Sequence, residues 1–265
     1  MDLQLGGKRA VISGASGGLG VEIAHALAAE GVDLVLAARR QQPLEELATD
    51  VVGRHGTAAH VVVVDVLDDA SVQALAARAR DLLGGVDILV NAASDQGVGQ
   101  HMPGLAGTSD EVFWQDVDTK VVGYLRTARA FAPLLVAQGW GRIINLGGLG
   151  ARETRSLVRS VRNVGVAALT KNLSDELARH GVNVVVVHPG LTRTPRLSEQ
   201  IAERAAAEGR TVEELELELG ANDLGRLVDA REVADVVAFL ASPRSVAISG
   251  DAIAVGGGAR GVVHY

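Results

Sequence analysis

Short runs of β-branched and other apolar residues recur along the chain, and each is followed by a stretch rich in Ala and Leu at helical spacing. Apolar runs without polar alternation are typical of strands buried on both faces. Strands are predicted at 9–13, 33–37, 60–64, 86–90, 142–146, 183–188 and 252–255. Helices are predicted between them at 18–30, 42–53, 70–83, 110–138, 157–180 and 231–241.

Strands that alternate with helices form right-handed βαβ units around a parallel sheet. The predicted fold is therefore α/β, a single-domain Rossmann-type doubly wound parallel sheet of about seven strands with helices on both faces, spanning residues 1–265. Residues 191–227 break the rhythm with charged helical sequence between two strands. We interpret this insertion as a lid over the ligand crevice, and a solvated surface excursion is the alternative.

Composition narrows the function classes. The 265 residues include no Cys, which excludes disulfides, thiolate metal sites and cysteine nucleophiles. The net charge of −7 gives no support for binding to nucleic acid or to an anionic membrane. The N-terminus has no apolar signal region, and no stretch approaches the length of a membrane span. We expect a cytoplasmic protein.

A glycine-rich turn follows the first predicted strand and leads directly into a helix. Its glycines permit a tight turn and bring backbone N–H groups close to a pyrophosphate, which then lies at the positive end of the helix dipole. The context of strand, turn and helix strengthens this reading. The residues predicted to bind the cofactor phosphates are Gly14, Ser16, Gly18, Leu19 and Gly20.

The spacing GxxxGxG is followed by Asp65-Val66, by Asn91-Ala92-Ala93 and by His188-Pro189-Gly190, each at the end of a later predicted strand. With a fourth later motif near the C-terminus, this pattern resembles the short-chain dehydrogenase/reductase family over nearly the full length. The last motif, Ile248-Ser249-Gly250 with Val255-Gly256-Gly257, resembles the family's last strand. The resemblance implies contacts to the adenine and nicotinamide ends of a dinucleotide. Those contacts fall on Asp65, Val66, Asn91, Ala92, Ala93, Pro189, Gly190, Thr192 and Thr194.

The second predicted strand ends in Ala37-Ala38-Arg39-Arg40. An NAD-preferring site would have a carboxylate here for the ribose 2′-OH, whereas a 2′-phosphate requires a guanidinium. Ala38 removes the carboxylate, and Arg39 supplies the guanidinium, with Arg40 as a second candidate. We therefore predict NADP(H). The alternative is two surface arginines that cap a strand.

The family resemblance implies a Ser, a Tyr proton donor and a Lys four residues after the Tyr. The Lys cation lowers the pKa of the Tyr, and the Ser binds the substrate oxygen. Alignment places Gly148, Arg159 and Asn163 at these three positions. No shift of register restores the Tyr, because the sequence has none between Tyr124 and Tyr265.

Lys120 stands where the family pattern has an Asn, so Lys and Asn are exchanged between two neighbouring helices. The chain has only three lysines. We hypothesise that the Lys120 ammonium reaches the space of the usual lysine and keeps one cation near the nicotinamide ribose. Pairing of Lys120 with a helix-surface acid such as Asp116 is the alternative. The residues predicted to be catalytic are Lys120, Arg159 and Asn163.

Arginines at 152, 155, 159 and 162 are spaced to form one basic stripe on a helix. The stripe could clamp an anionic substrate near the site that the resemblance implies, or it could pair with acids across a subunit interface. Tyr124 is interpreted as a packed aromatic residue. His60, His101 and His188 lack metal-ligand spacing and are assigned surface or core roles, so no metal is predicted.

Three functions remain open. The first is an atypical NADP(H)-dependent oxidoreductase that transfers hydride between a carbonyl and an alcohol on a small substrate of unknown identity, for which an anion is one candidate. The second is a non-redox enzyme on the same scaffold, such as a lyase, cyclase or isomerase. The third is a catalytically silent cofactor-binding subunit. Family resemblance further implies a homodimer or homotetramer.

Overall fold

The computed structural model describes residues 1–94, 104–154 and 156–258. Its strands are β1 (Arg9–Ser13), β2 (Asp33–Ala38), β3 (Ala59–Val63), β4 (Ile88–Asn91), β5 (Gly141–Leu146), β6 (Val182–Pro189), β7 (Thr192–Arg193), β8 (Val228–Asp229) and β9 (Ala252–Val255). Its helices are α1 (Gly18–Ala29), α2 (Gln41–His55), α3 (Asp69–Leu83), α4 (Asp110–Val117), α5 (Gly123–Gln138), α6 (Leu157–Leu177), α7 (Pro195–Glu208), α8 (Val212–Leu219) and α9 (Ala230–Ala241).

Seven of these strands form one sheet in the order β3-β2-β1-β4-β5-β6-β9, and every neighbouring pair is parallel. The short strands β7 and β8 form a separate pair. The chain moves outward from β1 in one direction and from β4 in the other. This order confirms the predicted single-domain α/β fold with a doubly wound parallel sheet.

Apolar side chains cover both faces of the sheet. On one face, Ile23 of α1, Leu44 of α2 and Val233 of α9 pack against β1 and its neighbours. On the other face, Phe131 of α5 and Leu177 of α6 belong to a second cluster that also includes α3. Burial of strands on both faces explains why their sequences are continuous apolar runs.

The predicted helix over 110–138 is interrupted. A five-residue π-helical segment (Asp118–Val122) joins α4 to α5. The Thr119 hydroxyl donates to the carbonyl of Gln115 at 2.8 Å and competes for a helical acceptor just before this segment. Such π turns often occur at functional sites, and Lys120 lies within this one.

Residues 191–227 fold into α7 and α8, which share a small apolar cluster centred on Ile201 and Leu215. Thr194 and Thr211 cap the two helices. Arg193 pairs with Glu216 at 2.8 Å and so ties the start of the segment to α8. The segment is therefore a structured helical pair.

Among the described residues, no helix has both the length and the apolar character needed to cross a bilayer.

Candidate active site

The carboxyl ends of β1 and β4 lie side by side, since Ser13 pairs with Asn91 across the two strands. The strand order reverses between them, and ligands of open α/β sheets bind in the crevice at this point. The turns that follow the two strands touch. A Cβ built on Gly14 would lie 2.5 Å from the Ala93 backbone N and 2.6 Å from the Ala92 carbonyl carbon.

The turn after β1 leaves the N-terminus of α1 open. Gly14 has a φ of +77°, which favours glycine, and its carbonyl accepts a hydrogen bond from the Gly17 N–H at 3.1 Å. Gly17 is the N-cap residue of α1 and supplies no side-chain cap. The first N–H groups of α1, beginning at Gly18, therefore lack the side-chain acceptor that usually caps a helix. This is the arrangement that accommodates a pyrophosphate.

The residues predicted to hold the adenosine half lie at the ends of β2 and β3. Arg39 and Arg40 are exposed, and neither forms an ion pair with any described residue. Asp65 accepts a hydrogen bond from the Leu67 N–H at 3.0 Å, which fixes the turn after β3. The Val66 carbonyl accepts from Arg126 at 3.2 Å. A 2′-phosphate would find exposed guanidinium groups at this end of the crevice.

The side chain of Asn91 is occupied within the protein. Its Nδ2 donates to Asn145 at 2.9 Å, and its Oδ1 accepts from Thr127 at 2.8 Å. Asn145 continues the network to Thr170 at 2.9 Å. The Asn91 side chain thus links β4, β5, α5 and α6, and its predicted contact with a cofactor stays a prediction.

The segment after β6 reaches back to the start of α1. Pro189 is the last residue of β6, and the Gly190 N–H donates to the Val255 carbonyl of β9 at 2.9 Å. Thr192 folds onto the Gly190 carbonyl at 3.0 Å. A Cβ built on Gly18 would lie 2.7 Å from the Thr194 side chain. Thr194 therefore lies against the open end of α1, beside the glycine-rich turn that follows β1.

Lys120 lies buried at the carboxyl end of β5, with 5% of its surface exposed. Its Nζ donates to the Gly147 carbonyl at 2.8 Å and forms no ion pair with a described residue. Burial, with a smaller contribution from the charge of Arg162, lowers the pKa of Lys120 to about 7, although Asp116 opposes the shift. The side chain can therefore hold or release a proton near neutral pH.

Asn163 of α6 approaches the same turn from the other side. A Cβ built on Gly148 would lie 3.0 Å from Asn163 Nδ2, and one on Gly150 would lie 3.2 Å from it. Asn163 is buried, and its Oδ1 has no hydrogen-bond partner among the described residues. Arg159, one turn earlier on α6, is half-buried, and burial lowers its pKa. The structure thus brings Lys120 and Asn163 to one turn.

The alternative prediction, in which Lys120 pairs with Asp116, is wrong. The buried Asp116 carboxylate pairs with Arg162, not with Lys120.

The prediction of a single basic stripe is also wrong. Ser156 caps α6, so Arg152 lies before the helix, where it donates to the Ala252 carbonyl at 3.2 Å. Arg155 lies outside the described residues. Of the four arginines, only Arg159 and Arg162 are described on α6, and the buried Asp116 carboxylate pairs with Arg162.

Other polar residues near the turn have structural partners. Tyr124 is fully buried and donates to the Leu146 carbonyl at 3.1 Å, as expected for a packed aromatic residue. Burial raises its pKa. Ser160 donates to the Glu153 carbonyl at 2.6 Å. No group of three or more metal-ligating side chains occurs within the described ranges.

Sequence analysis gives His188 only a surface or core role, and the structure buries it at this turn. Its Nδ1 accepts a hydrogen bond from the Gly148 N–H at 2.9 Å, so it lies directly behind the turn that Lys120 and Asn163 approach. His188 and Gly148 are forty residues apart in sequence. The signal that could have found it is the pair Gly147-Gly148, since two adjacent glycines after a strand indicate that a bulky neighbour comes close.

Comparisons with known proteins agree with this geometry. A family profile described as enoyl-(acyl carrier protein) reductase matches residues 14–260. The oxidoreductase UcpA of Salmonella typhimurium is 33% identical over 259 residues, which is 96% of this chain and 95% of the relative. This chain belongs to the short-chain dehydrogenase/reductase family. The prediction of an oxidoreductase from this family is therefore confirmed.

Two solved structures of similar proteins contain NADPH. L-sorbose reductase from Gluconobacter frateurii, complexed with NADPH and L-sorbose, has a TM-score of 0.91 and 28% identity, covering 99% of this chain and 100% of that one. A variant of actinorhodin polyketide ketoreductase with NADPH has a TM-score of 0.85 and 30% identity, covering 94% and 96%. A nicotinamide cofactor is therefore supported for this member of the short-chain dehydrogenase/reductase family.

Proposed function

We propose that this protein is an NADP(H)-dependent oxidoreductase that interconverts a carbonyl and an alcohol on a small anionic substrate, with Lys120 as the group that exchanges the proton. The observation that carries the proposal is the buried Lys120 ammonium on the Gly147 carbonyl at the carboxyl end of β5. The reaction adds one hydride and one proton to a carbonyl, or removes both from an alcohol. The nicotinamide, when bound, supplies or accepts the hydride.

Lys120 replaces a tyrosine in this proposal. Tyr124 is buried and bonded to the Leu146 carbonyl, and the sequence has no other tyrosine before Tyr265. With its pKa lowered to about 7, Lys120 donates a proton to a developing alkoxide in its charged form. In its neutral form it accepts the proton of an alcohol. One group thus serves both directions near neutral pH.

Arg159 and Asn163 complete the proposed site. A guanidinium does not deliver protons, but it stabilises negative charge that develops on oxygen and binds a substrate anion. The Asn163 amide is buried beside the turn with an unpartnered oxygen, so it can orient a substrate hydroxyl or a water molecule. We propose these as the roles of the two residues in catalysis.

The exposed pair Arg39 and Arg40 supports NADP(H) over NAD(H). Arg39 would bind the 2′-phosphate, so Arg39→Ala should weaken NADPH binding about ten- to hundredfold and leave NADH binding unchanged. Titration calorimetry with both cofactors measures this. Arg54→Ala is the matched control, because Arg54 is an exposed arginine already paired with Asp50 at 2.7 Å. Wild-type preference for NADH would overturn the cofactor assignment.

We further propose that residues 191–227 act as a lid. Thr194, at the start of the segment, lies against Gly18 of α1. At its other end, the Asp223 N–H donates to the Gly257 carbonyl at 3.0 Å. The helical pair is therefore fastened next to the phosphate-binding turn, and slower hydrogen exchange in α7 and α8 on addition of NADPH would test closure.

A second copy of this chain is the expected partner, as the family resemblance implies. Leu157, Val161 and Val164 lie about half exposed along one face of α6. Burial of such a face by a second α6 would remove apolar surface from water. Sedimentation equilibrium measures the oligomeric state, and a monomer at micromolar concentration would contradict the expectation.

The function itself is tested by following NADPH absorbance with a panel of carbonyl compounds in pairs, each oxo acid beside its uncharged ester. We expect consumption of NADPH with oxo acids and little with esters. Equal rates with both would contradict the proposal of an anionic substrate but would still support an oxidoreductase. Tight NADPH binding without turnover of any carbonyl or alcohol would favour a non-redox enzyme or a silent subunit.

A further inference from the structure

His188 is a buried histidine near the end of β6, and it faces the turn that follows β5. Its Nδ1 accepts the hydrogen bond of the Gly148 N–H at 2.9 Å. Its ring also fills the space beside the preceding residue. A Cβ on Gly147 would lie 2.2 Å from Nδ1 and 2.5 Å from Cε1, so any side chain at 147 would have to displace the ring or the turn.

The same turn is held from its opposite side. The Gly147 carbonyl accepts from Lys120 Nζ at 2.8 Å, while the adjacent Gly148 N–H points to His188. Two side chains from two elements thus bind successive backbone groups. The turn has no side chains of its own to pack. Its backbone is also held where the Gly147 N–H donates to the Val187 carbonyl at 2.7 Å and the Ala151 N–H donates to the Gly148 carbonyl at 3.0 Å, while Lys120 and His188 hold the peptide between Gly147 and Gly148.

The imidazole is neutral in this arrangement. Burial, together with the nearby charges of Arg152 and Lys120, lowers the pKa of His188 to about 4. A neutral ring that accepts at Nδ1 carries its proton on Nε2. His188 therefore acts as a fixed acceptor over the whole range in which Lys120 titrates, and it does not compete for that proton.

We propose that His188 is a positioning residue, which fixes the turn at Gly147 and Gly148 so that the Gly147 carbonyl holds Lys120 in its buried place. Its consequence for catalysis rests on the proposed function, in which Lys120 exchanges the proton. The charged groups that act on Lys120 are Asp116 of α4, Arg159 and Arg162 of α6, and the neutral His188 faces the turn from β6.

Direct observation of Lys120 tests this without any substrate. The chain has only three lysines, at 8, 120 and 171. Labelling with [6-13C]lysine therefore gives three side-chain NMR signals, which Lys8→Arg and Lys171→Arg assign. The titration midpoint of each signal is followed from pH 5 to 11 in the full-length wild type and in two variants, His188→Asn and His188→Leu.

An asparagine retains a short acceptor for the Gly148 N–H, whereas a leucine fills space and accepts nothing. We expect the Lys120 midpoint to rise by about one pH unit or more in His188→Leu, because a loosened turn admits water to the ammonium. In His188→Asn it should stay close to the wild-type value. An unchanged midpoint in His188→Leu, or equal shifts in both variants, would overturn the proposal.

Gly147→Ala keeps the test decisive where His188→Leu does not fold. Its added methyl meets the ring of His188 and moves the same turn, so the Lys120 midpoint should again rise. An unchanged midpoint in folded Gly147→Ala contradicts the proposal. A merely structural His188 would lower the melting temperature of each variant without moving Lys120. Absence of turnover with all carbonyls would count against the proposed function alone, since the NMR signal does not depend on it.

Discussion

The proposed phosphate-binding turn and the proposed proton-exchange site lie at the same edge of the sheet but are built in different ways. The turn consists of contiguous residues 13–20, and the groups proposed to bind phosphate are backbone N–H groups at the start of α1. The proton-exchange site joins Lys120, Asn163 and His188 around the glycine pair 147–148. One site depends on backbone shape, and the other depends on buried side chains that meet only after folding.

This difference predicts different weaknesses. A backbone site fails when a single carbon is added at a crowded glycine, whatever the charge of the new residue. A side-chain site survives small changes of shape but fails when a charge or an acceptor is lost. Three substitutions separate these outcomes, with an expected effect that decreases from Gly14→Ala through Lys120→Met to Tyr124→Phe.

Gly14→Ala should have the largest effect. The new methyl would lie 2.5 Å from the Ala93 backbone N, at a φ of +77°. Strain of this φ costs about 1–3 kcal/mol, and overpacking typically adds about as much. We expect a drop of several degrees in melting temperature and loss of measurable NADPH binding, as recorded by calorimetry and thermal unfolding.

Gly53→Ala is the matched control for that substitution. Gly53 is exposed in the last turn of α2, and a Cβ there meets nothing within 4 Å. Alanine should stabilise the helix by about 0.5–1 kcal/mol and leave NADPH binding unchanged. Equal losses from both substitutions would show that the phosphate-binding turn has no special dependence on backbone shape.

Lys120→Met should abolish proton exchange while leaving the phosphate-binding turn intact. General acid–base groups contribute about 10²- to 10⁴-fold, so turnover should fall by at least about a hundredfold at constant NADPH affinity. Carbonyl reduction requires the ammonium, so in the wild type its rate should decline as pH rises through about 7. Alcohol oxidation requires the neutral amine and should rise through the same pH. Steady-state kinetics in both directions measure these profiles.

Lys171→Met is the control for Lys120→Met, since Lys171 is exposed and pairs with Asp175. Stability gives an independent check. The folded chain releases the Lys120 proton near pH 7, whereas an unfolded lysine holds it to about 10.4. Between these values the unfolded state binds more protons, so the free energy of unfolding should rise with pH relative to Lys120→Met. A parallel pH dependence in both proteins would contradict a buried, titrating Lys120.

The two sites were also unequally predictable from sequence. The strand β1 and the glycine turn have the predicted limits, because both are set by local apolar pattern and by backbone freedom. The predicted helix over 110–138 missed the π segment that carries Lys120, since helical periodicity does not register a local change of hydrogen bonding. The predicted start of α6 at residue 157 is confirmed, whereas the stripe of four arginines extends helical spacing to Arg152, which lies before that start.

The tertiary partners of the proton-exchange site had still weaker signals. His188 ends an apolar strand, and nothing near it in sequence indicates the Gly148 N–H. The partner of Asp116 was assigned by proximity along one helix, whereas Arg162 reaches it from α6. Buried charged residues pair according to how the helices pack together. The spacing of residues within α4 or within α6 does not predict that packing.

Tyr124→Phe should have the smallest effect and so marks the edge of the proton-exchange site. Loss of the hydroxyl leaves the buried Leu146 carbonyl without its 3.1 Å donor, which costs about 1 kcal/mol of stability in urea unfolding. Turnover and its pH profile should remain within about twofold of wild type, because Lys120, not Tyr124, exchanges the proton in the proposed mechanism. A tenfold loss of turnover with a shifted pH profile would place the Tyr124 hydroxyl in the proton path and displace Lys120 from its proposed role.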